Sequence, residues 1–250
     1  MARAAVRGRL NWMLGEVVDL IDETPRVRSV VLDIPQWPGH LAGQHVDVRL
    51  TAEDGYQAQR SYSIASAPEE RRLVLTVERL PDGEVSSYLV GELRPGDALE
   101  LRGPIGGYFV WDERMGGPLM LVAGGSGIVP LMAMLRHREV SRAMVGARLL
   151  YSSRSWEEII YREELERLIS GPDGPRVTHT LTRSQPPGWT GYARRVDGAM
   201  LAEVAWPASD MPTAFICGPT PFVEAVASAL VLLGYPATRV KTERFGPTGG

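Results

Sequence analysis

Over the first 115 residues the apolar positions come in short runs, each broken by turn residues. Trp12 to Leu20, Arg26 to Ile34, His45 to Leu50, Gln59 to Ser66, Arg72 to Leu80 and Ala98 to Arg102 are rich in Val, Leu and Tyr, and Gly, Pro and Asp separate them. Such runs predict strands, and their close spacing predicts a small antiparallel barrel of Greek-key type. Val85 to Leu93 departs from the pattern. It is amphipathic, ends at Pro95-Gly96-Asp97, and predicts a short helix closing one side of the barrel.

The pattern changes at Gly116-Gly117-Pro118. Beyond it, apolar runs alternate with segments of helical spacing. Pro118 to Ala123, Ala147 to Ser152, Val177 to Thr182, Ala214 to Cys217 and Thr238 to Phe245 predict strands. Ile128 to Leu135, Trp156 to Ile169, Ala199 to Val204 and Phe222 to Leu233 predict helices, the last with Thr220 as N-cap, Pro221 in the first turn and Gly234 as the stop. Strand-helix alternation of this length implies a parallel sheet covered on both faces. The expected chain is therefore a β + α/β two-domain protein: a barrel over residues 1–115, then a Rossmann-like unit over 116–250.

Composition narrows the chemistry. The 250 residues are 44% hydrophobic and 23% charged, which places the chain in the globular class. A net charge of -3 argues against a general nucleic-acid binder. The single cysteine, Cys217, excludes an internal disulfide, a Cys-rich zinc site and the thiolate cage of an ordinary iron-sulfur cluster. His40, His45, His137 and His179 are scattered, so no metal site is expected. No apolar run is long enough to span a bilayer. Arg3, Arg7 and Arg9 precede no signal-type block, so the expected location is cytoplasmic.

Four segments carry candidate chemistry. Arg60-Ser61-Tyr62-Ser63 offers a guanidinium for a diphosphate, an aromatic ring for a flat heterocycle and a hydroxyl for a ring nitrogen, although a barrel strand with one polar face reads the same way. Gly83-Glu84-Val85-Ser86-Ser87 lies where the first helix begins and reads either as an anion site or as ordinary capping. Gly124-Gly125-Ser126-Gly127 joins a buried strand to a helix and lets backbone approach a pyrophosphate, or lets helix and sheet pack closely. Cys217-Gly218-Pro219 lies at the carboxyl end of a predicted parallel strand, where open sheets bind ligands.

In this order the four segments resemble the ferredoxin–NADP reductase family, and the terminal Glu243-Arg244-Phe245-Gly246 is similar to the ending of many bacterial members. The resemblance covers nearly the whole chain, with Ser126 where the family commonly has Thr. It implies FAD on the barrel and NADP(H), or NAD(H), on the sheet. On this resemblance Arg60, Gly83, Val85, Ser86 and Ser87 would hold the FAD diphosphate, Tyr62 would pack on the isoalloxazine, and Ser63 would hydrogen-bond near N5. Gly124, Gly125, Ser126 and Gly127 would cradle the nicotinamide cofactor's pyrophosphate. Cys217, Gly218, Pro219 and Glu243 would border the nicotinamide, with Ser63, Cys217 and Glu243 nearest the chemistry, and Phe245 would cover the flavin. Arg154, Thr182 and Arg183, with Arg194 and Arg195 nearby, would hold a 2'-phosphate and favour NADPH.

A straight strand directs Ser63 away from the face shared by Arg60 and Tyr62, so its role requires twist or a flavin lying across the strand edge. The implied activity is an FAD-dependent NAD(P)H oxidoreductase that passes electrons to a separate carrier, such as a ferredoxin or an oxygenase. A reductase of free flavin, quinone or another diffusible acceptor is the enzymatic alternative. A non-catalytic nucleotide sensor is the alternative of another class.

Overall fold

The structure is a computed structural model describing residues 10–245. Arg3, Arg7, Arg9 and Gly246 lie outside the described residues. Six strands form the first sheet: β1 (Trp12–Thr24), β2 (Val27–Asp33), β3 (His45–Thr51), β4 (Gln57–Ser63), β5 (Leu73–Glu78) and β6 (Ala98–Ile105). Their order is β4-β3-β6-β1-β2-β5, antiparallel at every pairing, so β6 returns to lie between β3 and β1. The two edges meet where Ile64 bridges Leu75 and the Ala65 N–H donates to the Val74 carbonyl at 2.8 Å, which closes the barrel.

Period-two alternation fills the barrel: Val46 and Val48 turn inward to join Val17, Val30, Leu75 and Leu101, while Asp47 and Arg49 take the other face. Helix α1 (Glu84–Gly91) buries Val85, Leu89 and Val90 in the same core.

The second sheet is parallel, in the order β11-β10-β7-β8-β9. Its strands are β7 (Leu119–Gly124), β8 (Ala147–Ser153), β9 (Arg176–Leu181), β10 (Thr213–Pro219) and β11 (Val240–Phe245). Every residue of β7 is buried because helices cover both faces. Leu119, Leu121 and Ala123 face α2 (Ile128–Val140) and α3 (Arg162–Ile169), while Met120 and Val122 face α4 (Gly198–Val204) and α5 (Thr220–Leu232). The chain winds outward from β7 to β9 and then returns to β10, so the topological switch falls between β7 and β10. A ligand crevice opens at the carboxyl ends of such strands.

Barrel and sheet share one hydrophobic cluster. Val27, Ala42, Ala65, Phe109 and Trp111 belong to the same hydrophobic cluster as β7, α2 and α3. The Phe109 ring meets Phe215 of β10 edge-on at 5.3 Å. Two local expectations are corrected. The helix expected over Trp156 to Ile169 begins only at Arg162: Tyr161 sits in left-handed backbone at φ 59°, which a right-handed helix cannot contain, and the Ile160 N–H donates to the Tyr151 hydroxyl rather than to a helical carbonyl. Helix α5 includes Thr220, with Pro219 as its N-cap and no side-chain cap, while Gly234 at φ +93° supplies the expected stop.

Candidate functional site

On the barrel side, Arg60, Tyr62 and Ser63 all lie on β4. Arg60 is exposed; its guanidinium donates to the neighbouring Gln59 carbonyl at 2.7 Å, and among the described residues it pairs with no carboxylate. Tyr62 packs on the barrel core, and burial pushes its phenol pKa up to about 12, so the hydroxyl stays protonated. In register, Arg60 faces Val48, Tyr62 faces Val46 and Ser63 faces His45. The strand is regular through Ser63, whose side chain therefore stands on the face opposite Tyr62, in company with His45.

That second face is fixed by Asp47, which accepts hydrogen bonds from Ser61 at 2.7 Å and from Arg102 at 2.7 Å. Burial opposes ionisation of Asp47, but those bonds prevail and hold its pKa below the ordinary range. His45, half-buried, is held below the ordinary histidine range by burial against the pull of Asp47, and so stands as a neutral imidazole beside Ser63. Sequence reading did not single out His45. The available signal was its register opposite the motif strand, which only pairing reveals.

Helix α1 has Gly83 as N-cap with no side-chain cap, so the first-turn N–H groups of Glu84, Val85 and Ser86 have no helical partner. The Ser86 hydroxyl is used internally: it accepts from the Leu80 N–H and donates to the Gly83 carbonyl, both at 3.2 Å. A Cβ on Gly83 would lie 2.3 Å from that hydroxyl, so a side chain here would have to displace Ser86 from its two hydrogen bonds. Val85 is buried, Ser87 half-buried. The anion-binding capacity of this segment thus resides in its backbone N–H groups, with the unpaired Arg60 on β4, a strand that packs against α1.

On the sheet side, the glycine turn and the cysteine motif meet at the topological switch. A Cβ on Gly127 would strike the Cys217 carbonyl oxygen at 2.1 Å, and one on Gly218 would lie 3.3 Å from Gly124 Cα. Gly125, at φ +56°, has open space above it, which leaves backbone accessible to a ligand. The Ser126 hydroxyl donates to Glu78 of the barrel at 2.8 Å, so its side chain joins the two units.

Cys217 is buried and pairs in register with Glu243, as Pro219 does with Phe245. Burial and then the Glu243 charge push the Cys217 pKa well up, which keeps it a thiol. Burial raises the Glu243 pKa to about 7, and no cation pairs with it among the described residues. Pro219 is exposed, and Phe245, with 37% of its surface accessible, is not tucked into the interface.

Beyond β8 and β9, backbone bonds from the Thr182 N–H to the Ser153 carbonyl (3.0 Å) and from the Arg183 N–H to the Arg154 carbonyl (2.9 Å) bring Arg154, Thr182 and Arg183 together. Both arginines are exposed and lack a carboxylate partner among the described residues. Arg194 is instead committed to Asp197 at 2.8 Å, and Arg162 lies over the Trp156 ring at 5.5 Å.

Two family models match this arrangement: an oxidoreductase FAD-binding domain over residues 17–110 and an oxidoreductase NAD-binding domain over 121–228. Ferredoxin–NADP reductase B of Sorangium cellulosum is 38% identical over 209 residues, covering 82% of this chain and 84% of the relative. The chain belongs to the ferredoxin–NADP reductase family. Further members include the glycine betaine monooxygenase reductase subunit of Chromohalobacter salexigens, 35% identical over 236 residues; the chain spans 92% of its own length and 63% of that relative. NADH-cytochrome b5 reductase 1 of Aspergillus terreus is 32% identical, over 92% of this chain and 79% of the relative. Among solved structures, the flavohem-like FAD/NAD binding domain of nitric oxide dioxygenase from Vibrio cholerae superposes with a TM-score of 0.84 at 26% identity, covering 94% of this chain and 99% of that one. The FAD and NAD(P) cofactors and the two-sheet fold expected from the motifs are thereby established for this member.

The donor set fits the family's cofactors. Unpaired arginine and free helix N–H groups suit a diphosphate, and the accessible turn at Gly125 suits a second. Among the described residues, no helix is long and apolar enough to cross a membrane.

Glu243 supplies a pH test. Its folded pKa of about 7 lies above the ordinary 4.5, so between those values the unfolded carboxyl is ionised while the folded one holds its proton. Stability should fall as pH rises through that window and level off above it. The expected result is a drop in Tm between pH 5 and 7 that is larger in the native protein than in Glu243→Gln. Equal slopes would show that Glu243 does not hold its proton above the ordinary carboxylate range.

Proposed function

We propose that this protein is an NAD(P)H-dependent flavoprotein reductase that delivers electrons to a separate redox protein, with residues 1–115 forming the FAD domain and 116–250 the nucleotide domain. The observation carrying this reading is the direct seating of the nucleotide turn on the flavin barrel, through Ser126 on Glu78. When bound, FAD accepts hydride from the reduced nicotinamide and can release the electrons singly. The chain's contribution is placement.

Arg60 and the α1 N–H groups would hold the diphosphate, Tyr62 would pack on the isoalloxazine, and Ser63 with neutral His45, on the other face of β4, would serve the N5 edge. Gly124 to Gly127 hold the nicotinamide cofactor's pyrophosphate. Cys217, Gly218 and Pro219 border the nicotinamide, the uncharged thiol helping to exclude water, and Glu243 presents a carboxyl that holds its proton up to about pH 7. Phe245, exposed at the last described residue of β11, would cover the flavin face in the absence of nicotinamide.

Several relatives bear the names of oxygenase reductase components, including the glycine betaine monooxygenase subunit and the 3-ketosteroid-9-alpha-monooxygenase component of Mycobacterium tuberculosis. These favour an oxygenase or a ferredoxin as acceptor. A cytoplasmic location accords with the single unbridged cysteine. Gel filtration followed by an acceptor assay tests the reading. Flavin should stay with the protein and one-electron acceptors should be reduced; loss of flavin together with saturable turnover of free FMN would instead make it a reductase of diffusible flavin.

NADPH is the preferred donor on this reading because Arg154 and Arg183 are unpaired and adjacent, which suits a phosphate. Removing one charge-assisted contact costs about 1.5–3 kcal/mol. Arg183→Ala should therefore raise the NADPH KM about tenfold or more and leave that for NADH within about threefold. Equal losses would remove the phosphate role, and would favour the NADH named for the cytochrome b5 reductases.

A further inference from the structure

We infer that Tyr161 and Arg136 are positioning residues that seat the nucleotide sheet on one face of β5 and thereby set the approach of nicotinamide to flavin. The kinetic part rests on the reductase reading above; the geometric part does not.

Tyr161 immediately precedes α3 with left-handed backbone, φ 59° and ψ 29°, a conformation unfavourable for a bulky L residue. Its ring is buried, and its hydroxyl donates to Thr76 Oγ1 of β5 at 2.5 Å. Thr76 and Ser29 hydroxyls lie 2.7 Å apart, and Ser29 gives its own proton to Glu23 at 2.6 Å. The proton between Thr76 and Ser29 must therefore come from Thr76. All the hydroxyl protons run one way, from Tyr161 through Thr76 and Ser29 to the Glu23 carboxylate. Such an aligned chain is cooperative, and it joins α3 to β5, β2 and β1.

Arg136 lies on α2, the helix that starts from the glycine turn. It donates to the Ala65 carbonyl at 2.7 Å, two residues beyond Ser63. It also holds Glu164 of α3 in a two-pronged pair, at 2.9 and 2.6 Å, and its guanidinium carbon sits 4.9 Å from the Tyr161 ring centroid. One side chain thus joins the end of the flavin strand, the nucleotide helix and Tyr161.

These ties converge on alternate residues of β5, which share a face. Val74 packs into the common hydrophobic cluster and accepts from the Ala65 N–H, Thr76 holds Tyr161, and Glu78 holds Ser126. The nucleotide unit is therefore fixed at several points along one edge of the barrel. A strained residue kept at that seam has the character of a positioning element, because a misplacement of about 1 Å between reacting groups costs on the order of a hundredfold in rate.

The test uses Tyr161→Phe and the paired variant Arg136→Met/Glu164→Met, which removes both charges and leaves neither ion buried alone. With FAD-loaded protein and NADPH under anaerobic conditions, the limiting rate of flavin reduction should fall about tenfold or more, while the half-saturating NADPH changes less than about threefold. The long-wavelength absorbance of stacked nicotinamide and flavin should weaken, with FAD content unchanged. Independently of any reaction, amide hydrogen exchange of Ala65 and of β5 should quicken in both variants, while the β1–β6 pairing keeps its protection. Native limiting rates with native absorbance, or FAD loss with no selective effect on rate, would overturn the inference. If the native protein itself is not reduced by NADPH or NADH, the reductase reading fails; exchange then decides the seating role, and unchanged exchange at Ala65 and β5 overturns it.

Discussion

Gly127→Ala should abolish productive nicotinamide-cofactor binding while leaving FAD on the protein. The added Cβ would sit 2.1 Å from the Cys217 carbonyl oxygen, 2.4 Å from its carbon and 2.8 Å from the Gly218 nitrogen. All three are backbone atoms at the end of a central strand, so no side chain can swing aside. The glycine turn and the cysteine motif must separate, and overpacking of this kind costs about 3 kcal/mol. Spent on the geometry of the crevice, that corresponds to more than a hundredfold in affinity. Gly125→Ala probes the ligand side of the same turn: no protein atom lies within 4 Å of its Cβ, so the fold is opposed only by the positive φ, at a cost of about 1–2 kcal/mol, and any further loss of affinity reads the Cβ against the cofactor. Titration of both variants with NADPH, each checked for FAD content, separates the outcomes. A Gly127→Ala protein that binds NADPH normally would show that the turn does not form the nucleotide crevice.

Arg60→Ala should weaken FAD binding about 10- to 150-fold, from the loss of a charge-assisted contact of about 1.5–3 kcal/mol to a diphosphate. Fold stability should stay within about 0.5 kcal/mol, because the side chain is exposed and, among the described residues, bonds only its neighbour's carbonyl. Arg60→Lys should recover part of the affinity, since it restores a point charge without the planar fork. Flavin fluorescence during FAD titration reads the affinity, and thermal unfolding of the apoprotein reads the stability. Unchanged FAD affinity in Arg60→Ala would remove this residue from the diphosphate site.

The elements were largely legible because local patterns govern them. Val46 and Val48 alternate with polar neighbours and become barrel core, and Gly234 ends α5 where a left-handed stop was expected. Local pattern failed where tertiary burial decided. Ile159, Ile160 and Tyr161 look like part of an amphipathic helix, but Tyr161 turns left-handed to reach Thr76 of the barrel, and all three are buried before the helix begins. The motif order was likewise legible, whereas the partners of motif residues were not. Ser126 lies 48 residues from Glu78, and Tyr161 lies 85 from Thr76, so no window along the chain contains either pair. Alternation places Ser63 opposite Tyr62 because β4 stays regular, and the residue that shares its face, His45, arrives through register with another strand.

The most direct test of the reductase account is an anaerobic visible-spectrum titration of the FAD-reconstituted protein with NADPH and NADH in parallel. The expected result is stoichiometric FAD binding, with complete bleaching by about one equivalent of NADPH and at lower donor concentration than NADH requires. A protein that takes up no FAD, or that holds FAD which neither nicotinamide can bleach, would contradict it.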